Sequence, residues 1–454
     1  MNRAGIVCIA ACAAALVWWS ETEVASQAAA PYVLQVAELA DVALRTFHNG
    51  LFRSPADHIV EDRGVRLGSL GSDIFHAPGD SFNEFWAITD RGPNANPGRR
   101  TFVAPKFNPV ILRFRVHDSG ITLLNALPIV DTADRPVTGL PNVPTFDETP
   151  YDFSGTAVIE GNPNGLDTEG IVRTSEGHFW LVDEYSPSLV HVGPNGQVID
   201  RFVPVDSRLA ATAATTPTYR VKKQLPKILN FRRQNRGFEG LALTPDEKTL
   251  FIAMQSPLEY PTQALGRASR NVRILRFDIE SERVTGEFVY HLDEVCAFLH
   301  RAAGCGVAPG EMKVSGLAAI TSTVLLVDER TDLVAKIYRA DVSDATNILD
   351  HSVWDAVAAS PSATTPAVET LSNPASQGIT VAAKRLVVDL STLPGMPDKI
   401  EGVAVLRDGH VLAVANDNDF GLTDNATFDA SGKLSNDTKV RSKLLYIQLA
   451  ERVR

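Results

Sequence analysis

Three segments set a glutamate directly before a glycine that opens an apolar run, Glu169-Gly170, Glu239-Gly240 and Glu401-Gly402, and Ser315-Gly316 keeps the same frame. A second polar position follows the next apolar run: Asp90, Asp183 with Glu184, Gln255, Asp328 with Glu329, and Asn416 through Asp419. Carboxylates gathered in this way repel one another unless they are protonated, paired or bound to a cation. Oxygen donors without a cluster of His or Cys select a hard cation, and calcium accepts an irregular oxygen set more readily than magnesium. The candidate ligands are therefore Glu169, Asp183, Glu184, Glu239, Asp328, Glu329, Glu401, Asn416, Asp417 and Asp419. Asn416-Asp417-Asn418-Asp419-Phe420-Gly421 is the densest donor segment; it lacks the closing Glu of an EF-hand. An Asx-rich turn capping strand ends is the competing explanation of that segment.

Basic residues accompany the acids. Arg91 follows Asp90, Arg330 follows Glu329, Arg236 precedes Glu239 by three, and Lys313 and Lys399 lie two before Ser315 and Glu401. Strand periodicity puts Lys399 with Glu401, and Lys313 with Ser315, on common faces. Arg and Lys grip phosphoryl oxygens while a divalent cation polarises the same group, so cations and carboxylates at one mouth suit an anionic ligand bridged by metal. Arg91, Arg330 and Lys399 are the candidate catalytic residues, and Asp90, Asn94, Tyr185, Arg236 and Lys313 the candidate ligand contacts. Salt bridges that hold the framework together compete with this reading at each position. Asp90-Arg91-Gly92-Pro93-Asn94 is a rigid turn that presents Arg91 and Asn94. No G-x-S-x-G elbow, P-loop or dinucleotide-binding glycine motif is present, and the ten histidines are scattered.

What must position these residues is a repeated unit. Glu169-Gly170-Ile171-Val172, Phe179 to Glu184, Ser188 to Val192 and Gln197 to Phe202 are four short strands with turn residues between them, the pattern of one propeller blade. Units opening at Glu239, Ser315 and Glu401 repeat it, and a looser one starts near Leu70. The expected fold is thus all-β, a β-propeller with six blades preferred and five or seven possible. Glycines 170, 240, 316 and 402 lie 70, 76 and 86 residues apart, more than one blade needs, so long inter-blade insertions are expected in 120–165, 206–236 and 344–398. Leu444 to Leu449, pairing with Val33 to Val36, would close a sixth blade. Short helices are expected at 292–303 and 350–358.

The 454-residue chain carries a formal charge of -11 and no Lys/Arg run longer than a pair, which excludes nucleic acid as a partner. Residues 1–30 read as a signal peptide: Asn2-Arg3, an apolar stretch from Ile6 to Trp19, then small-residue cleavage sites near Ala30. The stretch is too short for a membrane span, although an uncleaved anchor is the alternative. Residues 31–454 are expected as one domain, periplasmic or secreted, with no stable membrane span after cleavage. Cys296 and Cys305 would then be the only thiols, and their spacing suits a disulfide in an oxidising compartment; two reduced buried thiols are the alternative.

Glu239-Gly240-Leu241-Ala242, Asp183-Glu184-Tyr185, Ile88-Thr89-Asp90-Arg91-Gly92, Lys399-Ile400-Glu401-Gly402 and Asn416 to Gly421 together resemble the bacterial phytase-like family, "esterase-like activity of phytase", over roughly residues 65–430. The resemblance implies an exported propeller related in shape to the calcium-dependent phytases that cleave phosphomonoesters. It supplies no catalytic residue. Ser315 and Gln255 depart from the acidic pattern and leave the ring asymmetric. The expected function is a calcium-dependent phosphoric ester hydrolase acting on a small anionic, phosphorylated substrate. A non-catalytic, calcium-stabilised binding propeller and a lactonase-like calcium hydrolase remain the alternatives, and the oligomeric state is left open.

Overall fold

Short apolar runs such as Phe179–Asp183 and Leu250 to Met254 are buried along their whole length, as strands packed on both faces must be. The computed structural model describes residues 30–143, 146–209, 218–349 and 353–453. The expected leader therefore lies outside the described residues, except for Ala30.

Among the described residues the long strands form five four-stranded antiparallel units, an all-β architecture of β-propeller type. The first is Asp73–Phe75, Glu84–Ile88, Val110–His117 and Gly120–Pro128. The second is Thr168–Arg173, Phe179–Asp183, Ser188–Val192 and Val198–Pro204, with Arg220–Leu225 added in parallel. The third is Phe238–Leu243, Thr249–Met254, Asn271–Asp278 and Arg283–His291. The fourth is Lys313–Ala319, Val324–Arg330, Ala335–Asp341 and Ala383–Asp389. The fifth is Ile400–Leu406, Val411–Asn416, Lys443–Gln448 and, from the other end of the chain, Tyr32–Leu39. The inner strands neighbour one another in sequence order and the fifth returns to the first, which closes a ring.

The preferred count of six is thus corrected to five. Lys443–Gln448 does pair with Tyr32–Leu39 as expected, but the pair completes the fifth unit by joining Val411–Asn416. A short parallel pairing of Glu38 and Leu39 with Gly120 and Ile121 then links fifth and first units into one eight-stranded sheet. The surplus length goes partly between units, in 129–167 and 205–237, and partly within them, in 89–109, 342–382 and 417–442. The 344–398 stretch is accordingly no inter-blade insertion, because it contains the fourth unit's outer strand.

The repeated glycines bring the inner strands together. A Cβ on Gly240 would lie 2.5 Å from the Ser315 carbonyl oxygen, and one on Gly316 would lie 2.3 Å from that of Glu401. In the first unit Asp73 stands in the corresponding place, and its carboxylate accepts the amides of Ile171 and Ile74. Cys296 and Cys305 form a disulfide, with Cα atoms 5.7 Å apart, beside a one-turn helix at Val295–Phe298. Residues 353–358 are turn and coil where a helix was expected, and 350–352 lie outside the described residues. Among the described residues no helix is long and apolar enough to cross a membrane.

Candidate metal and anion site

The glutamates before the glycines do not sit in the ladders. In the second, third and fifth units the register skips one residue on the inner strand, leaving Glu169, Glu239 and Glu401 unpaired with the next strand, and the fourth unit skips at Ser315-Gly316. A bulge of this kind re-aims the side chain of the extra residue. Here it turns the glutamates into a cleft of about 270 Å³ at one mouth of the ring. The equivalent residues of the second strands, Asp90, Glu184, Gln255, Arg330 and Asp417, line the same cleft. So do Arg91, Asn94, Arg236, Lys313, Lys399 and Asp419. A second, more apolar cavity is lined by Ile74, Leu241, Leu317 and Val403 of the inner strands.

Within the cleft the acids divide into two sets. On the third, fourth and fifth units they are neutralised. Glu239 accepts from Gln255 at 2.6 Å and Ser315 at 3.0 Å, and Arg330 lies 3.6 Å away. Arg330 also donates to Glu401 and, through Nε at 2.7 Å, to Ser315. Lys399 reaches Asp417 at 2.9 Å and Asp419 at 2.6 Å. Burial pushes Glu401 up to about 8 against the pull of Arg330 and Lys399, whereas Lys399 overcomes burial at Asp417 and holds it down to about 2. The departures at Ser315 and Gln255 thus have a structural purpose, since both residues hydrogen-bond Glu239.

On the second unit the two glutamates are bare. Asp167, Glu169 and Glu184 each offer an oxygen within 4.8 Å of the others. Glu169 and Glu184 have no side-chain hydrogen bond or ion pair among the described residues. Asp167 Oδ2 lies 3.0 Å from Arg91 Nη1, at ion-pair distance but without hydrogen-bond alignment. Burial first, and then the neighbouring carboxylates, raise Glu169 and Glu184 well above the usual glutamate range. Asp167 Oδ1 also accepts the Arg91 amide at 3.2 Å, so two carboxylates without proton donors and a third held by Arg91 form a cluster capable of holding a divalent cation. Asp167 was not among the sequence candidates; the Asp167-x-Glu169 spacing, two residues along a strand, is the signal that could have found it.

Cations line the same cleft. Arg236 makes no ion pair among the described residues; its Nη1 donates to Ser256 Oγ and the Gly310 carbonyl. Burial and the neighbouring Arg233 lower it to about 10, and burial with Arg330 and Arg236 lowers Lys313 to about 8. Lys399, Asp419 and Phe420 have φ of 50°, 48° and 54°, a left-handed conformation that costs non-glycine residues on the order of 1 kcal/mol each.

Other expected ligands lie elsewhere. Asp183 faces away from the cleft to Arg201 at 2.7 Å and Ser188 at 2.9 Å, while its Oδ1 accepts the Asp167 amide at 2.8 Å and so fixes the neighbouring triad loop. Glu329 points behind the fourth unit to Lys384 and Tyr290. Asn416 accepts the Lys443 amide within the fifth unit. Asp328 is buried at a position where other units carry Val182, Ala253 or Ala415, and neither of its oxygens finds a hydrogen bond. Tyr185 is buried behind Arg91, its hydroxyl donating to the Gly139 carbonyl at 2.7 Å. Asn94 holds Arg100 at 2.7 Å, and Asp90 accepts the Gly92 amide. Arg91 bridges Asp167 and Glu148.

Fold and site together define a ring of β-sheets carrying a hard-cation cluster beside a cationic wall. The chain belongs to the phytase-like family described as "esterase-like activity of phytase", which matches residues 66–420, and the resemblance carried by the motifs is borne out. An uncharacterized secreted protein of Arthroderma benhamiae is 28% identical over 289 residues, 54% of this chain and 56% of that protein. The chain thus spans about half the length of the curated relative it matches. Among solved structures, a luciferin-regenerating enzyme is 11% identical, with 83% of this chain and 76% of that one covered at a TM-score of 0.31. A periplasmic gluconolactonase of Pseudomonas aeruginosa is 12% identical, with 87% and 93% covered at 0.32.

Proposed function

We propose that the chain is an exported, calcium-dependent phosphoric ester hydrolase acting on a small phosphomonoester, the whole of residues 31–454 serving as one domain around the cleft. The observation that carries this reading is the cluster Asp167, Glu169 and Glu184, whose two glutamates are unpaired and line one cavity with Arg236 and Lys313. A divalent cation on the triad would supply positive charge that polarises a phosphoryl oxygen. Arg236 and Lys313 take the remaining phosphoryl oxygens. Arg91, Arg330 and Lys399, already ion-paired and held in place, stabilise the charge that develops as a water molecule attacks phosphorus, the P–O ester bond breaks, and the leaving oxygen takes a proton from that water to give alcohol and phosphate. Membership of the family supports the ester class, and the cationic wall favours phosphate over an uncharged lactone. The Cys296–Cys305 disulfide supports export to the periplasm or beyond, as does the description of the Arthroderma relative as secreted.

Phosphate release from an aryl phosphate and an inositol phosphate, with calcium or with chelator, tests the proposal. Arg236→Ala is expected to retain calcium binding and lose turnover about a hundredfold, the usual loss for one placed donor. No release by the wild type above the chelated control would replace the hydrolase with a calcium-stabilised binding propeller.

A further inference from the structure

The cationic wall already holds a carboxylate. Asp332, in the turn after Val324–Arg330, accepts from Lys313 Nζ and, at 3.3 Å, from Arg330 Nη1. Its side chain is 57% exposed, against 12% for Lys313 and 2% for Arg330. The backbone of this turn is fixed independently of that contact. The Asp332 carbonyl accepts the Lys399 amide at 3.2 Å, and Thr331 Oγ1 accepts the amides of Leu333 and Val334. One side-chain rotation therefore frees the seat without moving the strand.

The partners differ in what they lose when Asp332 leaves. Arg330 keeps Glu401 and Ser315. Among the described residues Lys313 has no other ion pair and Arg236 beside it has none, so departure of the carboxylate leaves two adjacent, partly buried cations with no carboxylate at ion-pair distance. A free mouth of this kind attracts the next available anion.

We propose that Asp332 is a place-holder in the anion subsite: its carboxylate occupies Lys313 and Arg330 in the free protein and yields them to the phosphoryl group of the substrate. The inference rests on the phosphoryl reading of the cleft. A phosphomonoester brings nearly two negative charges at neutral pH against the single charge of the carboxylate, so the exchange runs toward substrate. Until exchange occurs, the apparent affinity is reduced by the fraction of molecules in which the seat is free.

Calorimetric titration of the full chain with inorganic phosphate at pH 7 tests it. Asp332→Asn and Asp332→Ala are each expected to lower the phosphate Kd about tenfold, as for a seat free in about one molecule in ten. Adding Lys313→Met to either variant should abolish that gain. If both single variants bind phosphate no better than a wild type that does bind it, the place-holder is overturned and the phosphoryl reading stands. A gain that survives Lys313→Met also overturns it, because the effect would then be one of overall charge. If neither the wild type nor any variant binds phosphate, both the inference and the reading beneath it fail.

Discussion

Asp183 and Glu184 are neighbours that leave the end of one strand in opposite directions, and direction decides what each can do. Glu184 enters the cleft without a partner, whereas Asp183 turns back to a buried Arg201. Glu184→Gln is expected to abolish tight divalent binding while leaving the metal-free melting temperature unchanged or slightly raised, since it removes a repelling carboxylate. Asp183→Asn is expected to do the reverse, keeping the cleft acids but destabilising the fold by about 3–5 kcal/mol, because Arg201 is left buried without its counter-ion. Calcium calorimetry and thermal melting on the two variants separate the roles. The acids themselves were legible in the sequence, because repetition marks them out. Which of them would be bare was not, since each neutralising partner comes from afar: Arg201 from the fourth strand of its own sheet, Arg330 from the sheet next to Glu239. Asp167 was missed for a different reason, lying two residues before the repeated Glu-Gly frame.

An inner strand does two things in this chain: its glycine lets the neighbouring strand approach, and its bulge aims the preceding residue at the cleft. Gly240→Ala places a Cβ 2.5 Å from the Ser315 carbonyl oxygen and 2.6 Å from Leu317 Cγ. Backbone cannot give way cheaply there, so a loss of about 2–3 kcal/mol or more is expected in urea unfolding. A second element, the insertion 342–382, is clipped to the third unit by Arg273, which is fully buried between Glu287 and Glu369 at 2.6 and 2.7 Å. Burial raises Glu287 from 4.5 to about 7, opposed by Arg273 and reinforced by Asp355. The folded state thus holds a proton there that the unfolded chain has released, and stability from this group is present below pH 4.5 and lost as pH rises to about 7. Glu287→Gln is expected to flatten the fall of unfolding free energy across that window; an unchanged slope would refute the assignment. Strand order was readable from periodicity, whereas the bounds of the insertions were not: Gly120–Pro128, Arg220–Leu225 and Ala383–Asp389 are strands inside the stretches that composition marked. The blade count was not, because a long gap between glycines looks the same whether it holds loops inside a sheet or another sheet.

As a whole the molecule is a ring closed by its own two ends, with Tyr32–Leu39 laid on Lys443–Gln448 so that the fifth unit is complete. Closure gathers more acids than bases around one mouth, and the surplus is concentrated on Asp167, Glu169 and Glu184. A ring built this way stores repulsion that a cation relieves. Calcium in excess should therefore raise the melting temperature at pH 7 and chelator should lower it, by mass action on a site the unfolded chain lacks; melting indifferent to both would count against the triad as a cation site. The most direct test of the metal and anion reading is an anomalous difference map from calcium-soaked crystals containing a phosphate analogue. The expected result is a peak among Asp167, Glu169 and Glu184, with the analogue spanning from it to Arg236 and Lys313. A cleft with no peak at saturating calcium, or an analogue bound away from those two cations, would contradict it.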